Sequence, residues 1–152
     1  MKASADFEAF LARHRLIGLD TSPFIYHLDG HPAYAPLTSQ LFDAIEQQHA
    51  FAVTATVSMI ELLVRPLRDD NVELVNTIYA LGGRYPNLTW LALTFPVAER
   101  AAALRARLRL RTPDAIQVAT AIAAGCGGFV TNDRTLSRVT DLDVFVLDDA
   151  LP

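Results

Sequence analysis

The chain has 152 residues, of which 51% are hydrophobic and 20% are charged, and its formal net charge is −4. These values predict one globular domain with a substantial core and exclude a disordered chain. No apolar run approaches the roughly 20 residues of a membrane-spanning helix, and the N-terminus lacks the apolar core of a signal peptide. The single cysteine, Cys126, fits a reducing compartment. We therefore expect a cytoplasmic protein without a membrane segment.

The chain starts with a predicted amphipathic helix over 3–13, in which Phe7, Phe10 and Leu11 share one face. After this helix, short β-rich segments alternate with helical segments. The strands are expected over 16–19, 51–56, 88–93, 128–131 and 144–147. The further helices are expected over 23–29, 36–48, 58–66, 69–81, 96–109, 112–124 and 134–139. Pro66, Gly82-Gly83 and Gly125 are expected to end the helices that precede them.

Every predicted connection between successive strands contains a helix. Parallel strands need such crossovers, so the sheet should be mostly parallel with helices on both faces. The sequence thus predicts an α/β protein with three α/β/α layers and five strands. We expect one domain over 1–152, in which residues 1–15 form an N-terminal helical extension.

This topology places four acidic residues at one edge of the sheet. Ligands of open parallel sheets bind beyond the carboxyl ends of the strands. Asp20 ends the first strand, Glu61 lies in the first turn of the helix after the second strand, and Asp133 follows the fourth strand. Asp114 begins the helix that leads into the fourth strand, so it must start at the same carboxyl edge. Four acids from four separate segments are therefore predicted to meet.

Four carboxylates in one place repel each other. Two unit charges about 4 Å apart repel by roughly 4 kcal/mol at an effective dielectric of 20. Either some of these groups stay protonated or a divalent cation neutralises them. An all-oxygen site with few histidines favours Mg²⁺ or Mn²⁺ over Zn²⁺. Such an ion can lower the pKa of a bound water and stabilise charge on a phosphoryl group, so phosphodiester hydrolysis is the predicted chemistry.

Each of these acids also has a purely structural interpretation. Asp20 could cap the following helix, and Asp133 could be a turn residue. Ser58 and Glu61 match the spacing of a capping box. Asp114 lies in the first turn of a helix, where the helix dipole favours an anion. None of these interpretations requires the four acids to share one edge.

The four acids lie in four short segments. These are Leu19-Asp20-Thr21-Ser22, Ser58-x-x-Glu61-Leu-Leu, Thr112-Pro113-Asp114-Ala115-Ile116-Gln117 and Phe129-Val-Thr131-Asn132-Asp133. Together they resemble the four motifs of PIN-domain ribonucleases, and within that family the VapC-like toxins of bacterial toxin–antitoxin pairs. The resemblance covers about residues 16 to 148, and the third motif is its most specific part. The segment before the first strand departs from the pattern of many relatives.

The resemblance implies a Mg²⁺- or Mn²⁺-dependent endoribonuclease that acts on RNA. Asp20 and Asp114 would be direct metal ligands, and Glu61 and Asp133 would complete the catalytic site directly or through water. The hydroxyl groups expected to orient ligands or water are those of Ser22 and Thr131. The resemblance also implies a homodimer and inhibition by a small cognate antitoxin protein.

Five arginines lie between residues 100 and 111. Arginines at 105, 107, 109 and 111 could bind RNA phosphates through their guanidinium forks. They could equally form a solvated helix face. Arg111 stands closest to Asp114 in the chain and is the arginine expected to face the site and contact RNA.

Two other function classes stay open on the sequence alone. A catalytically silent PIN-like domain would act as a protein-binding module. A receiver-like signalling domain would also carry acids at the carboxyl edge of its sheet, but such domains use a lysine near the late strands, and this chain has only Lys2. His27 and His31 are expected to be loop residues without a metal role, because the Asp29-Gly30 turn lies between them.

Overall fold

A computed structural model of the chain describes residues 2–152, with side chains from residue 5 onward. Seven helices alternate with five strands in this part of the chain. The strands are β1 (Leu16–Leu19), β2 (Phe51–Ala55), β3 (Leu88–Leu91), β4 (Gly128–Thr131) and β5 (Asp143–Val146). The helices are α1 (Lys2–Arg13), α2 (Thr21–Asp29), α3 (Ala35–Glu46), α4 (Val57–Arg68), α5 (Val72–Arg84), α6 (Phe95–Leu108) and α7 (Thr112–Ala123). Two 3₁₀ helices, Arg134–Arg138 and Leu147–Ala150, flank β5.

The five strands form one sheet in the order β3-β2-β1-β4-β5, and all four strand pairs are parallel. The predicted α/β fold with a parallel five-stranded sheet is therefore confirmed. The first strand is central, with two strands on each side. Because the strand order reverses direction at β1, the carboxyl end of this strand is the position where such sheets form a crevice.

Two apolar cores cover the two faces of the sheet. Helices α1 to α5 supply the first core together with Ile17 and Leu19 of β1. Helices α6 and α7 supply the second, together with Val53 of β2 and Phe129 of β4. Neighbouring residues of β1, β2 and β4 therefore point to opposite layers, as the pleat of a strand requires. Among residues 2–152, no helix is long and apolar enough to cross a membrane.

Gly18 lets α7 lie directly against the central strand. A Cβ atom built on Gly18 would lie 2.6 Å from the Cβ atom of Ala121 and 2.7 Å from a ring carbon of Phe129. A side chain larger than hydrogen would push the helix away from the sheet. The small residue pair at this contact therefore sets the distance between α7 and β1, and with it the position of the first turn of α7.

Of the helix ends predicted at Pro66, Gly82-Gly83 and Gly125, the first two are wrong and the third is confirmed. Pro66 lies inside α4, and Gly82 and Gly83 lie inside α5. Pro66 is in the last turn of its helix, where its missing N–H costs one hydrogen bond at most, and its ring is buried. Gly82 faces Met59 of α4 so closely that a Cβ atom would lie 2.8 Å from the methionine methyl carbon. Packing between α4 and α5 therefore outweighs the low helix propensity of glycine. Gly125 follows the end of α7 with a φ of 82°, as predicted.

The helix predicted over 3–13 forms α1 and packs into the first core. Phe7 and Phe10 are fully buried, and their ring centroids lie 4.8 and 5.1 Å from that of Phe145 in β5. Just after the helix, the Nε2 atom of His14 lies 2.6 Å from a carboxylate oxygen of Asp143. These contacts attach α1 to the β5 side of the sheet, away from the carboxyl end of β1.

We predict that Gly18→Ala lowers the free energy of unfolding by about 1–3 kcal/mol, because the added methyl group overpacks the contact with Ala121. Gly83→Ala is the matched control. Nothing lies within 4 Å of a Cβ atom at Gly83, and alanine there should stabilise α5 by about 0.5–1 kcal/mol. Urea denaturation measures both changes, and a neutral Gly18→Ala protein would contradict the close packing.

Candidate metal centre at the carboxyl end of the sheet

Asp20 lies directly after β1 and is 8% exposed. One carboxylate oxygen accepts a hydrogen bond of 2.8 Å from the backbone N–H of Thr21, so this residue caps α2. The other oxygen accepts a hydrogen bond of 2.7 Å from the hydroxyl group of Thr131 at the end of β4. The carboxylate of Asp20 therefore caps α2 and also lies in the site, so the structural and the functional interpretations of this residue are compatible.

Burial raises the pKa of Asp20 to about 6. The hydrogen bonds from Thr131 and from the backbone of Thr21 lower this pKa, while the nearby carboxylates of Asp114 and Glu61 raise it. The charges of Asp114 and Glu61 therefore act on Asp20, as expected for acids that share one edge of the sheet. A buried carboxylate beside two like charges is a group that a cation would stabilise in its ionised form.

Asp114 is the third residue of α7 and is 7% exposed. Both of its carboxylate oxygens accept hydrogen bonds from Arg111, at 3.0 Å from Nε and 3.4 Å from Nη2. Asp114 raises the pKa of Arg111 through this contact. The side chain of Arg111 is itself 75% exposed. A buried carboxylate thus has a solvent-facing cation as its partner.

Glu61 and Asp133 form the more open part of the site. Glu61 is exposed, and one of its oxygens accepts a hydrogen bond of 3.2 Å from the hydroxyl group of Thr21. The capping box is absent, because α4 already starts at Val57 and Ser58 lies inside it. One Asp133 oxygen accepts hydrogen bonds from the backbone N–H and the hydroxyl group of Thr135, at 2.9 and 2.7 Å. Asp133 therefore also caps the 3₁₀ helix that follows β4.

All four predicted acids line one cleft of about 220 Å³ at the end of β1. The other residues that line this cleft are Thr21, Ser22, Ile25, Tyr26, Arg111 and Asn132. A larger cavity of about 830 Å³ lies between α1 and α3 and contains none of the four acids. The shared cleft is the feature that the structural interpretation of each single acid does not explain.

In the described part of the chain, no three Asp, Glu, His or Cys side chains are arranged to hold one metal ion as they stand. Each of the four carboxylates accepts a hydrogen bond from a donor within the protein. The chemistry of the donor set nevertheless fits a hard divalent cation, since it consists of carboxylate oxygens. The guanidinium group of Arg111 on Asp114 also shows that this carboxylate attracts a positive group.

A buried polar network under the cleft was not predicted from the sequence. The Thr21 hydroxyl group lies 2.8 Å from that of Ser58, and the Gln117 amide donates to Ser58. The Gln117 carbonyl accepts a hydrogen bond of 3.1 Å from the backbone N–H of Ala55. The network connects α2, α4, α7 and β2 beneath Glu61. Its sequence signal is Gln117, an amide three residues after Asp114 in an otherwise small and apolar helix.

Asn132 is a second residue whose role was not predicted from the sequence, although it lies in the fourth motif. Its side-chain amide donates to the hydroxyl groups of Tyr26 and Tyr34 at 2.9 and 3.1 Å and to Asp148 at 3.2 Å. Its backbone N–H donates to the hydroxyl group of Ser22 at 3.1 Å. Asn132 therefore ties the turn after β4 to α2 and to the C-terminal 3₁₀ helix. This places the neighbouring residues 131 and 133 at the cleft.

Only one arginine of the 105–111 stripe lines the cleft. Arg105 donates to the backbone carbonyl of Leu110 at 2.9 Å, and Arg107 pairs with Asp141 at 3.1 Å. Arg109 ends α6 in the left-handed conformation, with a φ of 55°. The side chains of Arg105 and Arg107 thus contact the loop before α7 and a surface carboxylate. Arg111 is the member of the stripe that lies at the site.

We predict that Asp20→Asn stabilises the metal-free protein near neutral pH. In the parent protein, the folded state holds its Asp20 proton up to about pH 6 while the unfolded state releases it near pH 4, so this residue's contribution to stability falls as pH rises between these values. The advantage of the variant should therefore grow over this range and reach roughly 3 kcal/mol. Denaturant unfolding in EDTA at several pH values measures the free energy of unfolding of both proteins. A difference between variant and parent that does not change with pH would contradict the raised pKa of Asp20. The surface variant Asp141→Asn is the control and should show the same pH dependence as the parent.

Comparison with known proteins agrees with this architecture. A model of the PIN domain family matches residues 17–142. No curated protein sequence gives a significant match. Among solved structures, the VapBC2 complex of Rickettsia felis bound to a promoter DNA fragment is 16% identical, with a TM-score of 0.65 over 86% of this chain and 98% of that chain.

Two further solved structures share the fold. A toxin–antitoxin complex from Klebsiella pneumoniae is 21% identical, with a TM-score of 0.64 over 87% of this chain and 96% of the other. The DNA-bound VapBC complex of Salmonella typhimurium is 17% identical, with a TM-score of 0.62 over 88% and 98% of the two chains. The family model covers most of the sheet and all four acidic segments. This protein therefore belongs to the PIN domain family.

Proposed function

We propose that this protein is a metal-dependent endoribonuclease that hydrolyses phosphodiester bonds of single-stranded RNA, and that it is the cytoplasmic toxin of a toxin–antitoxin pair. The observation that carries the proposal is the meeting of four carboxylates, from four separate segments, in one cleft of a PIN-family protein. Membership of this family removes the receiver-like alternative. The solved proteins with the same fold that are named above include toxin–antitoxin complexes, which supports the biological role.

Asp20 and Asp114 are the residues that would hold Mg²⁺ or Mn²⁺ directly. Glu61 and Asp133 would complete the site, either directly or through water. The bound ion would supply positive charge for the phosphoryl group and a water of lowered pKa. Both direct ligands are nearly buried, so each has few competing contacts with solvent.

The residues around these ligands hold them in place. Thr131 donates to one oxygen of Asp20, which fixes the plane of that carboxylate. Thr21 donates to Glu61 from the first residue of α2. Ser22 accepts from the backbone of Asn132, so its hydroxyl group joins α2 to the turn that carries Asp133. Glu61 and Asp114 thus lie within helices, while Asp20 and Asp133 cap the helical segments that follow them.

Arg111 is the proposed contact to RNA. Its side chain is 75% exposed and lies at the rim of the acidic cleft. A guanidinium fork matches the geometry of a phosphate group. A negatively charged backbone would otherwise be repelled by the four acids, and one cation at the rim reduces that repulsion.

We expect Asp114→Ala to lower RNA cleavage about 10²–10³-fold, the usual effect of losing one group that stabilises charge in the transition state. EDTA should abolish cleavage, and Mg²⁺ or Mn²⁺ should restore it. Asp141→Ala is the control, because this acid pairs with Arg107 at the surface and lies outside the cleft. Cleavage of a fluorescent single-stranded RNA measures all three proteins, and full activity of Asp114→Ala would refute the mechanism.

A catalytically silent protein-binding domain is the rival function, and the same preparation distinguishes it. Calorimetry with Mn²⁺ reports whether the cleft binds metal, and cleavage of varied RNAs reports activity. Metal binding without cleavage of any RNA would favour the silent domain. Metal binding together with EDTA-sensitive cleavage favours the ribonuclease.

The proposed partners are a cognate antitoxin and a second copy of this chain. Large apolar side chains are exposed on α4 and α5 and offer a surface for such contacts: Ile60, Val64, Leu67, Val72 and Tyr79. Light scattering of the purified chain should give twice its 16.7 kDa mass if it forms a homodimer.

Co-expression with the protein of a short upstream reading frame should suppress RNA cleavage if that protein is the antitoxin, and unchanged cleavage would contradict this assignment.

A further inference from the structure

Arg111 and Asp114 form an ion pair in the acidic cleft. Nε of Arg111 donates to one oxygen of Asp114 at 3.0 Å, and Nη2 faces the other oxygen at 3.4 Å. The fork therefore engages both oxygens of the carboxylate. Among the described residues, Asp114 is the one cleft acid that pairs with an arginine, while Asp20, Glu61 and Asp133 accept hydrogen bonds from neutral groups.

The two partners differ in how firmly they are held. Asp114 is nearly buried in the first turn of α7, which packs on the central strand. Arg111 is the residue before this helix and its side chain is 75% exposed. Within residues 2–152, the hydrogen bonds of this side chain are those to Asp114. The carboxylate is thus fixed, whereas the guanidinium group can turn into solvent without breaking another contact.

A metal ion and this guanidinium group require the same oxygens. Each oxygen keeps a second lone pair, but a divalent cation bound there would lie beside the guanidinium charge and would be repelled by it. The Arg111 end of this pair is exposed to solvent, so screening keeps the pair weak, on the order of 1 kcal/mol. A metal ion can therefore displace the arginine, but part of its binding free energy is used to do so.

We propose that Arg111 is an internal counter-cation that occupies Asp114 in the metal-free protein and leaves it when Mg²⁺ or Mn²⁺ binds. In the metal-free state it neutralises the nearly buried acid in the first turn of α7. In the metal-bound state its guanidinium group is free to engage an RNA phosphate. The arginine therefore weakens metal binding and strengthens RNA binding, two effects of opposite sign. This inference rests on the proposed metal-dependent function.

The direct readout is the Nε–H signal of Arg111 in a ¹H–¹⁵N NMR spectrum, assigned by its absence in the Arg111→Lys protein. Titration of the parent protein with Mg²⁺ should shift this signal with the midpoint that calorimetry gives for Mg²⁺ binding. The Nε–H signal of Arg134, which pairs with Asp149, should not move with that midpoint. A stationary Arg111 signal during metal binding would overturn the inference.

The second readout is metal affinity measured by calorimetry with Mn²⁺. Arg111→Gln should bind Mn²⁺ about fivefold more tightly than the parent, the size expected from loss of one half-exposed ion pair. Arg134→Gln is the matched control, since it removes the same charge from the residue next to Asp133. If Arg134→Gln tightens binding equally, a general charge effect explains the result and the inference is wrong.

Kinetics separate this role from a structural one. Arg111→Gln should raise the KM for RNA and lower the Mn²⁺ concentration needed for half-maximal cleavage. A variant with a damaged fold would show a raised KM for RNA and would also need more Mn²⁺ for half-maximal cleavage. That result would count against the inference. If the parent binds no metal and cleaves no RNA, the proposed function itself fails. If the parent does both and Arg111→Gln binds Mn²⁺ like the parent, only the counter-cation role fails.

Discussion

The close packing of α7 on the central strand is the contact on which the site depends. Gly18 and Ala121 meet with no room for another carbon atom, so the helix lies as near to the sheet as a backbone allows. Its first turn then stands over the end of β1, where Asp20 follows. A displaced α7 would separate Asp114 from Asp20 and would break the hydrogen bond between Gln117 and Ala55. One glycine thus controls the distance between two proposed metal ligands.

Bringing these acids together is electrostatically unfavourable, and the surroundings of Asp20 and Asp114 show this. Burial and two neighbouring carboxylates raise the pKa of Asp20, while Thr131 and the backbone of Thr21 oppose that effect. Asp114 has Arg111 as its counter-charge. The carboxylate of Asp20 thus keeps an unfavourable electrostatic environment in the folded protein. A divalent cation would relieve that environment, because it interacts with several of the carboxylates at once.

The polar groups behind the acids show why the cleft is well defined. Thr21, Ser58 and Gln117 form a continuous set of hydrogen bonds between three helices, and Asn132 joins the turn after β4 to two further segments. No side-chain polar atom that is fully buried in the described residues lacks a hydrogen-bond partner. Satisfied buried networks favour one arrangement of the elements around them, so these residues position the acids without belonging to the proposed ligand set.

The sequence by itself determined the layered α/β fold and the edge of the sheet on which the acids lie. These follow from local patterns: apolar strands, helices in every crossover, and acids placed after strands or at a helix start. The tertiary structure decided what depends on contacts between distant residues. Gly82 and Pro66 stay helical because α4 and α5 pack on each other, which no local propensity reveals. The pairing of Arg111 with Asp114 and the hydrogen bonds of Gln117 are likewise decided by the three-dimensional structure, because a side chain's partner depends on the distance and direction that the completed packing imposes.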